Sequence, residues 1–219
     1  MTELTDKPSE SDVRGSNTPR RIVVGITGAS GAGYAVRVIE LLAASGVETH
    51  IACSSLGRRL LAEEMGITQL DPDALSGGRG DRLVIHAGND VGAACASGSF
   101  KHDGMVVVPA SSNTLAKIAH GISDNLVQRA AQVTLKERRP LVIAHRESPI
   151  GMAEIEAMRM VTLAGAIVAP LSPGFYLEPT SIQDLVDFMA GRLLDLLGVP
   201  HGLKIRWDEH LKARRTPST

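Results

Sequence analysis

The sequence predicts an open, doubly wound α/β domain built on a mostly parallel sheet. Short β-branched runs that read as strands buried on both faces alternate with longer stretches of helical apolar spacing. Loops of Gly, Ser, Thr and Asn follow the strands, at the edge where open α/β sheets take their ligands. The 219 residues, at a formal net charge of −1, suit one compact domain with a sizeable core and supply no global basic field for nucleic acid.

The first unit is RIVVGITGASGAGY, Arg21 to Tyr34. Ile22, Val23, Val24 and Ile26 make a buried strand, Gly28, Gly31 and Gly33 punctuate a small-residue loop, and Tyr34, Val36, Val38, Ile39, Leu41 and Leu42 give the apolar face of a helix over about Ala32 to Ala44. A second strand over Val47 to Cys53 ends on Ser54 and Ser55, before a helix from Ser55 to about Met65. Leu70 to Arg82 carries Pro, Gly, Asp and Arg and reads as a surface excursion with room for a short helix. Leu83 to His86 is a short strand, and Gly88 to Gly98 is dense in small residues that permit close approach by a flat ligand or a neighbouring subunit.

Met105 to Val108 is the next buried strand, which Pro109 is expected to stop. PASSNTLAKIA follows, with Ser111, Ser112, Asn113 and Thr114 as candidate caps of a helix. Asp124 to Arg139 reads as a helix broken by Pro140, and Leu141 to Ala144 as a strand that leads into His145, Arg146 and Glu147. Met152 to Ala164 is an amphipathic helix, Ala166 to Leu171 a last strand, and Ser181 caps a helix that runs to about Leu197. Residues 1–19 are rich in Ser, Thr, Pro and charge and read as a disordered tail; 20–200 form the domain, and 201–219 a C-terminal arm with Trp207.

What the loops hold is narrowed by omissions. No Lys-Ser/Thr pair follows the first loop's glycines, which disfavours a P-loop, and their order is not that of the dinucleotide fingerprint. Ser54 stands where a ribose-binding fold places an acid, which suits the ribityl or phosphate part of a mononucleotide such as FMN. Each loop also has a plainer reading, a tight βα turn for the glycines and helix capping for the hydroxyls. Two polar loops on one sheet edge favour the ligand reading over either loop alone. Arg146, Arg129, Lys136 and Arg192, with the Tyr176 hydroxyl, make an anion site if the fold brings them together.

Cys53 and Cys95 lack metal or redox spacing, and the seven histidines form no ligand pair at helical spacing, so no metal is expected. No segment reads as a signal peptide or a membrane span, and a reducing, cytoplasmic setting fits.

TGASGAGYAVRVIELL, SGSF, PASSNTLAKIA, NLVQRAAQVTLKERRPLVIAHRESP and PGFY together resemble the UbiX-type flavin prenyltransferases, over essentially Arg20 to Trp207. The block from Asn125 to Pro149 is the most specific part. The resemblance implies a flavodoxin-like (Rossmann-like) three-layer fold, reduced FMN as prenyl acceptor, dimethylallyl monophosphate as donor, and a UbiD-type decarboxylase as recipient of the prenylated FMN. It implies no metal, in keeping with the lack of a D-D-x-x-D motif, and a homo-oligomer of trimers assembled into a dodecamer with sites at subunit interfaces. No nucleic acid and no membrane enter.

By the same resemblance, FMN contacts fall on Gly28, Ala29, Ser30, Ser54, Ser111, Ser112, Thr114 and Arg129, with Ser30 near flavin N5. The prenyl-phosphate set falls on Lys136, Arg146, Glu147, Tyr176 and Arg192, with Glu64 a further acid and Trp207 an aromatic that closes the site. Val91 stands where some members carry Trp, so the lining of the prenyl pocket departs from the family pattern there. Two other readings are a sister FMN-dependent decarboxylase of cysteinyl substrates and a non-catalytic FMN-binding regulatory subunit.

Overall fold

In the computed structural model, which describes residues 20–203 and 205, six strands form one sheet in the order β3-β2-β1-β4-β5-β6. One half comprises β1 (Arg21–Ile26), β2 (Glu48–Cys53) and β3 (Leu83–His86). The other comprises β4 (Gly104–Ala110), β5 (Leu141–His145) and β6 (Ile167–Val168). Every neighbouring pair is parallel. The helices are α1 (Ala32–Ala44), α2 (Ser55–Met65), α3 (Pro72–Ser76), α4 (Ser112–Ala119), α5 (Leu126–Lys136), α6 (Met152–Leu163) and α7 (Ile182–Leu196).

The strands read as unbroken apolar runs because both sheet faces are covered. Ile22, Val24, Ile26, Val106 and Val108 join one core with the buried faces of α1 and α7, while Val23, Met105 and Val107 join the other with those of α4, α5 and α6. The result is the expected three-layer sandwich. Strand order reverses between β1 and β4, so α1 and α4 depart in opposite directions and leave a crevice at the carboxyl ends of those two strands.

Four expectations need correcting. Pro109 does not stop β4: the strand runs to Ala110, and its register with β5 shifts between Val107 and Ala110. A proline has no N–H for the ladder, but its carbonyl still serves, here toward Thr27. Helix α5 is shorter than expected, because Asn125 caps it by accepting from Gln128 N at 3.1 Å and Arg138 turns the chain at φ 57°. Strand β6 is reduced to two residues, although Ala169 N and Leu171 N still donate to Ile143 O and His145 O, each at 2.9 Å. Helix α6 buries only Ala157 and Val161 and turns Met152 (71% exposed), Ile155 and Leu163 (75%) outward, the reverse of the expected core-facing stripe.

The small-residue stretch also finds its role within the chain. Between β3 and β4 the crossover contains only one short turn of 3-10 helix, Ala94–Ala96. Ala93, Cys95 and Ala96 share one buried cluster with Val23 and Ala52 of the sheet. Small side chains let this extended crossover lie where a helix would otherwise sit. Residues 1–19 and Trp207 lie outside the described residues.

Candidate active site at the switch-point crevice

The two loops that flank the crevice are tied together by a residue the sequence reading passed over. Thr27, buried directly after β1, donates its hydroxyl to Pro109 O at 2.8 Å and accepts from Ser111 N at 2.9 Å. Its own N–H also reaches Pro109 O, at 3.2 Å. One β-branched hydroxyl thus fixes the start of the second loop relative to the first. Thr27→Val keeps the shape and removes both hydroxyl hydrogen bonds, leaving the half-buried Ser111 N–H without this partner while Pro109 O keeps only the residue-27 N–H. We expect it to lower unfolding stability by about 2 kcal/mol and to weaken FMN binding, measurable by denaturant titration and flavin fluorescence.

Local sequence explains the hydroxyls. Ser54 caps α2, accepting from Gly57 N at 3.1 Å, and Ser111 caps α4, accepting from Thr114 N at 3.3 Å. The capping reading is what the contacts show, and it leaves both hydroxyls at the carboxyl edge of the sheet. Gly28 is required by packing, since a Cβ there would fall 2.4 Å from Leu56 Cβ. Gly31 takes the left-handed φ of 116° that starts α1. A cleft of about 560 Å³ opens beside Ser54, bordered by Gly88, Asn125 and Arg58 at the carboxyl ends of β2 and β3. Cys53 borders the same cleft, and burial pushes its thiol up to about 12, so it is no nucleophile at neutral pH.

Glu64 reaches from the last turn of α2 to the start of α1, where Oε2 accepts from Gly31 N at 2.9 Å and Ala32 N at 2.8 Å. Burial opposes its ionisation. The two N–H groups, the Ser30 hydroxyl and the nearby charge of Arg146 outweigh that and hold the carboxyl below its usual range. The α1 N-terminus, where the helix dipole favours negative charge, is thus served by a carboxylate of the chain. Arg146 leaves the carboxyl end of β5, its N–H donating to Ala110 O at 3.1 Å. Among the described residues, its Nε is the buried side-chain polar atom without a hydrogen-bond partner. Glu147, next in sequence, accepts from Ser112 Oγ and from Ser148 N, each at 3.1 Å.

Gly28, Ala29, Ser30, Ser54, Glu64, Ser111, Ser112, Thr114, Arg146 and Glu147 therefore gather at one edge of the sheet. Arg129, in the first turns of α5, turns its Nε to Ala96 O at 3.2 Å, against the β3–β4 crossover. Tyr176, on the loop after β6, packs edge-on against Phe188 with centroids 5.5 Å apart. Lys136 and Arg192 do not join this cluster in the same chain. Lys136 ends α5 just ahead of β5, at the amino edge of the sheet, and contacts Glu137 at 3.6 Å. Arg192 lies toward the end of α7, where Leu197 O and Gly198 O accept from Arg20 ahead of β1, and it pairs with Asp195 at 3.4 Å.

Sequence reasoning missed Thr27 and also His145, a buried imidazole whose Nε2 lies 3.1 Å from Ser112 Oγ. A polar residue at the end of an otherwise apolar strand was the available signal in both cases. The donors at this edge are hydroxyls, backbone N–H groups and a guanidinium with an unengaged N–H, which fit a ribityl chain and phosphate groups. Among the described residues no three His, Cys, Asp or Glu side chains group as metal ligands, and no helix is long and apolar enough to cross a membrane.

The chain matches the Flavoprotein family over residues 10–194. It is 44% identical over 191 residues to the flavin prenyltransferase UbiX of Deinococcus radiodurans, covering 87% of this chain and 95% of the relative. Among solved structures, AnUbiX in complex with FMN and dimethylallyl pyrophosphate is 42% identical with a TM-score of 0.80, covering 87% of this chain and 98% of that one. A dodecameric FMN-dependent UbiX-like decarboxylase from Escherichia coli is 37% identical with a TM-score of 0.78, covering 85% and 98%. With these likenesses spanning the whole sheet and its ligand edge, the chain belongs to the flavoprotein family and, within it, to the UbiX-type flavin prenyltransferases.

Proposed function

We propose that this chain joins a dimethylallyl group from dimethylallyl monophosphate to N5 and C6 of reduced FMN, without a metal, and so makes prenylated FMN for a UbiD-type decarboxylase. The observation that carries the reading is the meeting of Ser30, Glu64, Arg146 and Glu147 at the switch-point crevice, beside two hydroxyl-lined loops. Reduced FMN, when bound, supplies the nucleophilic N5 and the ring position C6. Gly28, Ala29, Ser30, Ser54, Ser111, Ser112, Thr114 and Arg129 hold it. Arg146 takes the leaving phosphate, whose charge grows as the allylic C–O bond breaks, and Glu147 orients that cation or carries a proton. Tyr176 completes the donor pocket.

Lys136 and Arg192 serve a neighbouring copy's crevice in this reading, because their own lies at the other edge of the sheet. A trimer-based dodecamer supplies such neighbours, and the outward apolar face of α6 suits subunit contacts. With only two cysteines, both buried and free, a cytoplasmic setting suits the chain. Mixing the protein with FMN, a reductant and dimethylallyl monophosphate, free of oxygen and metal, tests the function by flavin mass. A gain of one prenyl unit is the expected result. Unchanged FMN with either the mono- or the diphosphate donor would overturn it.

A further inference from the structure

His145 closes β5 and is nearly inaccessible to solvent at 2% exposure, and nothing in the reaction described above uses it. Its Nε2 lies 3.1 Å from Ser112 Oγ, and that same oxygen lies 3.1 Å from Glu147 Oε2. A serine hydroxyl carries one proton, and a carboxylate only accepts. The Ser112 hydroxyl also faces the Glu154 carboxylate, and Glu147 is the acceptor within 3.1 Å; with its proton directed to a carboxylate, the contact with His145 is a hydrogen bond only if the imidazole donates through Nε2–H. Donor counting thus sets the tautomer and orders three groups in one direction, from His145 through Ser112 to Glu147.

The groups facing His145 come from three elements: Ser112 on α4, Arg146 and Glu147 after β5, and Glu154 on α6. Burial lowers the imidazole's affinity for a second proton; Glu147 and Glu154 oppose this, and Arg146 reinforces it. A donor that is itself held by a donor is polarised and binds its acceptor more strongly, the more so away from water. We propose that His145 is a positioning residue, whose Nε2–H holds the Ser112 hydroxyl on Glu147 and thereby orients that carboxylate for its part in the reaction. The inference rests on the prenyl-transfer reading for what Glu147 does, but not for the network itself.

The test uses the FMN-loaded assembly of wild type, His145→Val and His145→Gln. Valine removes the donor; glutamine places an amide N–H near the position of Nε2 and does not titrate. Infrared spectra without prenyl donor, with the Glu147 band isolated by difference against Glu147→Gln, are expected to show its carboxylate stretch displaced in the valine variant relative to wild type. The kcat of that variant falls about fivefold at neutral pH, the worth of one ordinary hydrogen bond, with the donor's KM unchanged. His145→Gln restores both the band and kcat. Should the valine variant fail to assemble, Ser112→Ala is expected to give the same infrared displacement. A wild-type Glu147 band in His145→Val or Ser112→Ala, or a glutamine variant no better than valine, would overturn the inference. Because the infrared comparison needs no turnover, absence of prenyl transfer in wild type would overturn only the function proposed above.

Discussion

Arg146→Ala is expected to lower the rate of prenyl transfer by at least about a hundredfold while leaving FMN bound. The Arg146 guanidinium stands at the carboxyl end of β5 with Nε engaged by nothing in the described protein, and its charge already acts on Glu64 across the crevice. A cation so placed gains most where negative charge develops, on the departing phosphate, which is why the loss falls on kcat more than on flavin affinity. Arg146→Lys keeps the charge and loses the planar fork, so it should recover only part of the rate. Single-turnover measurement of prenylated flavin under anaerobic conditions separates the steps. If Arg146→Ala turned over like wild type, the anion role assigned to this residue would be wrong.

The second large effect concerns who supplies which cation. Lys136→Ala and Arg146→Ala should each be nearly inactive alone, yet co-assembled they should recover about a quarter of wild-type activity, because random mixing makes some interfaces from two intact contributions. The basis is geometric. In an all-parallel sheet the residue that ends α5 lies at the amino edge, and the residue that follows β5 lies at the carboxyl edge. One chain therefore does not bring Lys136 to its own Arg146. Activity of co-purified mixed assemblies, against each variant alone, is the measurement. No recovery in proven mixed assemblies would mean that a site draws both cations from one chain; a Lys136→Ala variant active by itself would mean that Lys136 is dispensable.

Much of the fold was legible because burial on both faces writes itself into composition. Val23, Val24, Val106, Val107, Val142 and Ile143 leave no polar alternation to misread. Helix starts were legible for a similar reason, since Ser54, Ser111 and Ser181 satisfy N–H groups a few residues away, within the reach of local sequence. Where a feature depended on distant partners, reading failed. Nothing local marks the crossover after β3 as helix-free, or α6 as a helix whose apolar residues face outward; both follow from how much sheet surface is left to cover.

The candidate site divides along the same line. The sequence by itself determined that polar loops follow β1, β2, β4 and β5, since strand periodicity and turn chemistry are local and a parallel sheet sends all those loops to one edge. Only the tertiary structure decided that Thr27 clasps Pro109 and Ser111, that Glu64 serves the start of α1, and that His145 stands behind Ser112. It also decided that Lys136 and Arg192 belong to the opposite edge from Arg146. The physical reason is range: propensity and capping act over a few residues, whereas these contacts join side chains from different strands and helices, which meet only once the sheet is assembled.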